Sequence, residues 1–150
     1  MKTLSNFGLS VEKPPISPLR ASSVMEGSIP KIAILVVDDD KDYRILVRYQ
    51  LEAVGYQVLE AADGRSAIAL LSKQFVPLVI LDIVMPSVEG IEIIMRLRRQ
   101  GCHSKILVVS GAGKADEYLK AAICLGADDK FNKSRPVADL LEAVQALMGA

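Results

Sequence analysis

From Lys31 onward the chain alternates between two hydrophobic patterns. Short apolar, β-branched runs suit strands buried on both faces. Between them, apolar residues spaced three and four apart form the stripe of an amphipathic helix. Ile32–Val37 predicts a first strand, followed by a helix with Tyr43, Val47, Leu51 and Val54 on one face. Gly55 is placed to stop that helix as its left-handed C′ residue. Tyr56–Glu60 predicts a shorter, more polar strand of the kind found at a sheet edge, and Asp63 can cap a helix that turns Ala67, Leu70 and Leu71 inward. Pro77–Leu81 predicts the third strand and Ser87–Arg99 the third helix. Arg96, Arg98 and Arg99 crowd the end of that helix, where cations suit the helix dipole. Lys105–Val109 predicts the fourth strand, Ala115–Leu125 a helix ending at Gly126, and Asp129–Asn132 a short fifth strand. Pro136 opens a last helix carrying Val137, Leu140, Leu141, Val144 and Met148 on its inner face.

Strand–helix alternation with short connections predicts an α/β fold: a five-stranded parallel sheet, doubly wound and covered by helices on both faces. Residues 1–30 break the pattern. They hold four of the seven prolines, Pro14, Pro15, Pro18 and Pro30, with frequent serines and no sustained period. The expectation is a flexible N-terminal leader over 1–30 and one compact domain over 31–150.

Composition narrows this picture. Half of the 150 residues are hydrophobic, enough for a substantial core, and the formal net charge is zero. That balance argues against a mainly electrostatic partner such as nucleic acid or a membrane surface. No apolar run reaches membrane-spanning length, and the N-terminus lacks the apolar segment of a signal peptide. Cys102 and Cys124 are in no metal-type spacing, so a reduced, cytoplasmic protein is expected, with His103 an ordinary loop residue.

The chemistry gathers at the carboxyl ends of the strands, where a doubly wound sheet places its function. Asp38 and Asp39 follow the first strand, Asp82 the third, Ser110 the fourth and Lys133 the fifth. With strand order 2-1-3-4-5, the first and third strands are neighbours and their aspartates meet in one crevice. Carboxylates so grouped raise one another's pKa, and a hard divalent cation such as magnesium relieves the repulsion. An aspartate between a cation and an ammonium can attack a phosphoryl group, with lysine and hydroxyl holding the transferred oxygens. Taken singly, each residue has a plainer role: Asp38, Asp39, Asp40 and Asp82 as helix caps, Ser110 as turn chemistry, Lys133 as a surface charge. Their coincidence at the strand ends favours the site.

Four stretches, LVVDDD (Leu35–Asp40), LDIVMPSVEG (Leu81–Gly90), VVSGAG (Val108–Gly113) and GADDKFNK (Gly126–Lys133), match a family in order and separation. From about Lys31 to Met148 the chain resembles the receiver domain of bacterial two-component response regulators. The resemblance implies a flavodoxin-like, three-layer α/β/α fold. It implies that Asp82 is the phospho-acceptor and that Mg2+ is held by Asp38, Asp39, Asp82 and the backbone carbonyl of Val84. Ser110 and Lys133 then contact the phosphoryl group. The implied donor is a histidine kinase or histidine phosphotransfer protein. The output is a switched protein–protein surface formed by the fourth helix, fifth strand and fifth helix, including Tyr118 and Lys130. A stand-alone, single-domain type with an unknown downstream protein target is expected, and no enzymatic turnover beyond self-phosphorylation and slow self-dephosphorylation.

The chain departs from the family pattern at Ser134, where proline usually follows the lysine, and at Lys130, where an aromatic is common. Phe131, next to Lys130, is expected on the opposite side of its strand. Glu89 stands for a usual aspartate. Val84 and Ala112 flank the approach of a hydrolytic water and neither can orient it by a side-chain hydrogen bond, which predicts slow dephosphorylation. Three competing readings remain: a receiver-like module that works without phosphorylation, an aspartate-nucleophile phosphatase, and a nucleotide-binding domain. Val84 stands where the phosphatase needs a second aspartate, and the Gly-rich fingerprint of a nucleotide-binding domain is missing after the first strand.

Overall fold

The computed structural model describes residues 30–84, 89–111 and 115–149. The expected leader, apart from Pro30, lies outside these residues, as do the predicted helix start at Ser87 and Ala112.

Five parallel strands form one sheet in the order β2-β1-β3-β4-β5: β1 (Ala33–Val37), β2 (Gln57–Ala61), β3 (Leu78–Asp82), β4 (Lys105–Ser110) and β5 (Asp129–Asn132). The helices are α1 (Lys41–Ala53), α2 (Gly64–Leu71), α3 (Glu89–Arg99), α4 (Ala115–Cys124) and α5 (Val137–Met148). β3 is buried along its whole length, which is why it is continuously apolar up to Asp82. Alternation along the strands divides the core. Ile34, Val36, Leu78, Ile80, Leu107, Val109 and Phe131 pack with Tyr43, Val47 and Leu51 of α1 and Leu140 and Val144 of α5. Leu35, Val37, Val79, Leu81, Ile106 and Val108 pack with Ala67, Ile93, Ile94, Leu97, Leu119 and Ala122 of α2, α3 and α4.

The helix ends follow from local chemistry. Asp40 caps α1 by accepting from the backbone N–H groups of Asp42 and Tyr43, and Asp63 caps α2 through Ser66. Gly55, at φ 102°, turns the chain out of α1 as expected. Val54 departs from expectation. It is the C-cap, at φ −107° and ψ 12°, and its side chain is exposed rather than on the inner face, because the helix has already ended. The strand bounds also shift by about a residue. β3 and β4 run on to include Asp82 and Ser110, because their ladder continues to Asp82↔Val109 and Ser110↔Asn132. Phe131 is buried and Lys130 exposed, on alternate sides of β5.

Three arginines tie helices to the sheet. At the amino end of the strands, Arg98 donates Nε to the Gly126 carbonyl and Nη1 to the Cys102 and Ser104 carbonyls, each at 2.9 Å. Its Nη2 pairs with Asp128 Oδ2 at 3.0 Å. That carboxylate oxygen also accepts from the Ile106 N–H, so one guanidinium ties α3, β4 and the turn before β5. On the β2 edge, Glu60 lies between Arg44 (2.8 Å) and Arg48 (2.9 Å), which extend from α1. No described helix is long and apolar enough to cross a membrane.

Candidate functional site

The register explains why the acidic residues meet. Val37 pairs with Leu81 across β1 and β3, so Asp38 and Asp82, the next residue in each, stand at one level of the sheet. Both continue the alternation of the Ile34/Val36 and Leu78/Ile80 positions, on the α1/α5 side. Lys133 keeps the same period from Phe131. The structure therefore brings Asp38, Asp82 and Lys133 together over the Tyr43 end of α1.

Asp38 and Asp82 are handled alike. Each is buried, 1% and 4% exposed. Each directs Oδ1 to a backbone N–H two residues on: Asp38 accepts from Asp40 at 2.9 Å and Asp82 from Val84 at 3.0 Å. Each turns Oδ2 toward Lys133 Nζ, at 2.7 Å for Asp38 and 3.3 Å for Asp82. Asp39 is exposed at the rim, and carboxylate oxygens of Asp38, Asp39 and Asp82 all lie within 4.8 Å of one another. Two of these carboxylates thus share one ammonium, and the third stands beside them. Hard, anionic oxygens converging with surplus negative charge suit a divalent cation of the magnesium or calcium class.

The electrostatics carry that imbalance. Burial raises the Asp82 carboxyl to about 6, with the charge of Asp38 adding to the shift, while the Val84 N–H and Lys133 oppose it. Burial alone would lower the Lys133 ammonium, but its bond to Asp38 and the charges of Asp82 and Asp38 outweigh that and raise it. The Tyr43 phenol is pushed up to about 12, by burial first and then by the charges of Asp38 and Asp82.

Ser110 is fully buried at the end of β4, and its carbonyl accepts from the Lys133 N–H at 3.0 Å. It keeps the period of Ile106 and Val108, so its side chain leaves β4 on the α3/α4 side of the sheet, opposite the face that carries Asp38 and Asp82. Val84 stands two residues beyond Asp82 and touches the site through its amide.

Several contributors were not visible as site residues in the sequence. The Tyr43 ring lies 4.5 Å, centroid to Nζ, from Lys133. Arg44 Nη1 donates to the Asp38 carbonyl at 2.6 Å, and the Asp38 N–H donates to Ala61 at 3.1 Å, so both polar groups of that residue's backbone are held. Asn132 Oδ1 accepts from the Ser134 N–H at 2.9 Å. A proline at 134 has no N–H to give; the serine there feeds a side-chain turn that shapes the chain just after Lys133. Gly90 is pressed on the backbone below Asp82: a Cβ there would collide with Ile83 Cα and lie 2.7 Å from the Asp82 carbonyl oxygen.

Comparison with known proteins places the fold in a family. The family described as the response regulator receiver domain matches residues 34–145. The response regulator MprA of Mycolicibacterium vanbaalenii is 37% identical over 117 residues, which cover 78% of this chain and 50% of that protein. The alkaline phosphatase synthesis transcriptional regulatory protein PhoP of Bacillus subtilis is 34% identical over 116 residues, 77% of this chain and 48% of that one. The chain thus spans about half the length of these relatives. Among solved structures, the chemotaxis protein CheY4 of Vibrio cholerae superposes with a TM-score of 0.70 at 29% identity, covering 79% of this chain and 99% of its own. NtrX of Brucella abortus gives 0.74 at 29% identity, covering 80% of this chain and 27% of its own.

Proposed function

This chain belongs to the response regulator receiver family, and on that footing we propose that Asp82 accepts a phosphoryl group and that the modified corner controls a protein–protein contact. The observation that carries the reading is the shared ammonium: Asp38 and Asp82, both buried, hold Lys133 between them while Asp39 stands at the rim.

Oδ of Asp82 attacks phosphorus while the bond to the donor breaks. With a histidine kinase or histidine phosphotransfer protein as donor, that is a P–N bond, and the imidazole departs with its electron pair and takes a proton. Val84 N–H holds Oδ1 of Asp82, so the carboxylate is oriented before the donor arrives. Asp38, Asp39, Asp82 and the Val84 carbonyl would hold Mg2+, which supplies positive charge against the phosphoryl oxygens. Lys133 moves its charge from the carboxylate pair toward the new phosphoryl oxygens, and Ser110 supplies a hydroxyl donor. Val84 offers no side-chain hydrogen bond to an attacking water, which supports a long-lived acyl phosphate. The protein then works by its state and not by turnover, in the cytoplasm, with an output that does not need nucleic acid.

Incubation with a small acyl or amido phosphate and magnesium is expected to label the protein. Asp82→Asn should abolish the label, and magnesium removal should suppress it. Retention of label in Asp82→Asn would sink the assignment, and a half-life of seconds without a phosphatase would overturn slow hydrolysis. A second reading draws on Lys130, exposed on β5 where an inward-turning aromatic would relay the event. In it, the domain binds its target regardless of Asp82. Equal affinity for the target before and after labelling would select it.

A further inference from the structure

We propose that Tyr43 is a positioning residue for Lys133, its ring fixing the ammonium between Asp38 and Asp82. The inference rests on the reading of Lys133 just given, but its geometry is independent of it.

A lysine is a poor instrument without confinement, because its long stem has many rotamers and its charge is a point that any anion can draw away. Lys133 is confined on three sides. Its Nζ faces the two aspartates at 2.7 and 3.3 Å. Its stem lies against Gly111, where an added Cβ would stand 3.2 Å from Lys133 Cβ and 3.5 Å from Cδ. Its ammonium sits over the Tyr43 ring at 4.5 Å from the centroid.

These contacts do not have equal lifetimes. The two carboxylates are the groups whose charge changes when Asp82 is modified or a cation arrives, so their hold on Lys133 is released by the event it serves. The Tyr43 ring keeps its attraction for a cation through that change, since the quadrupole of a buried ring depends on neither. It is also held rigidly. Tyr43 is one of the buried residues of α1, packed with Phe131 and Leu140 in the α1/α5 core. Among the described residues, the hydroxyl is buried without a hydrogen-bond partner. The benefit of the side chain therefore lies in its ring, and phenylalanine should serve as well.

Labelling of Asp82 by a small phosphodonor is expected to slow about tenfold in Tyr43→Leu and to stay near the wild-type rate in Tyr43→Phe. In a Lys133→Ala background, Tyr43→Leu should add nothing, because its effect passes through the lysine. A purely structural role would slow both backgrounds alike. In the metal-free protein, ring currents should shift the Lys133 side-chain methylene protons upfield in wild type and Tyr43→Phe, and not in Tyr43→Leu. Unshifted Lys133 protons in the wild type, or equal slowing in both backgrounds, would overturn the proposal. If wild type takes no label while the upfield shift is present, the phospho-acceptor reading fails and the positioning of Lys133 stands. Thermal unfolding of each variant separates loss of fold from loss of position.

Discussion

At the amino end of the strands, one guanidinium places four of its five N–H groups on acceptors: the Gly126, Cys102 and Ser104 carbonyls and the Asp128 carboxylate. At the carboxyl end, Asp38 and Asp82 share the ammonium of Lys133 while Asp39 stands beside them at the rim. Both ends hold charge in the fold, and the difference is the balance. A charge so nearly satisfied has little further partner to seek and serves as a fastener. An unsaturated cluster holds free energy in reserve for an incoming cation or phosphoryl group, and that reserve is what makes it chemical.

The sharpest way to break this contrast is at Arg98. Arg98→Ala strands the Asp128 carboxylate and three carbonyls, and should cost about 2–4 kcal/mol of stability. Labelling of Asp82 in the remaining folded protein should be unchanged. A urea titration beside a labelling assay checks both, and a parallel fall in labelling rate would show that the two ends are not separable.

The next test removes the imbalance itself. Asp82 binds its proton more tightly folded, at about 6, than at its ordinary 3.8. Its contribution to stability is therefore fully present below that ordinary value and is lost as pH rises through about 6. A shift of this size corresponds to about 3 kcal/mol. Asp82→Asn, free of that loss, should be more stable than wild type in chelator by up to about 3 kcal/mol near pH 8, with the advantage gone near pH 4. Denaturant midpoints at the two pH values measure it. A gain that is the same at both would deny that ionised Asp82 is under strain.

Gly90→Ala crosses the divide: its methyl meets backbone atoms that cannot swing aside, so overpacking should cost about 1–3 kcal/mol or more. The new methyl strikes the backbone that follows Asp82, so labelling should slow along with the loss of stability. Unaltered labelling in a destabilised variant would show that the Asp82 carboxylate is insulated from its own peptide.

How far the sequence could be read follows the same division. The strand ends were legible because parallel pairing forces consecutive carboxyl ends to one edge, so Asp38, Asp82 and Lys133 had to approach once the order was known. Tyr43 was legible only as a core position. Helical period assigns a face, but it does not say that a ring on that face reaches a lysine at the far end of the chain. Val54 continued the period by spacing and left it in space, because the helix geometry stops before it. Arg98 looked like a cation placed for a helix dipole, and its true partners come from the β4 and β5 approaches, beyond any local pattern. Ser134 looked like a missing proline until the Asn132 side chain was seen to use its N–H.

The bonds around Asp38 have a consequence for how the domain breathes. Its N–H is tied to Ala61 at the end of the edge strand, and its carbonyl to Arg44, which also grips Glu60 on that strand. Edge strands open before central ones. When β2 frays, Asp38 loses its moorings while Asp82, between β1 and β4, stays in register. The amides of Gln57–Ala61 and Asp38 should then exchange with solvent as one unit, faster than those of Leu78–Asp82. The edge of the sheet becomes a reversible safety catch, disarming the acidic corner without unfolding its acceptor.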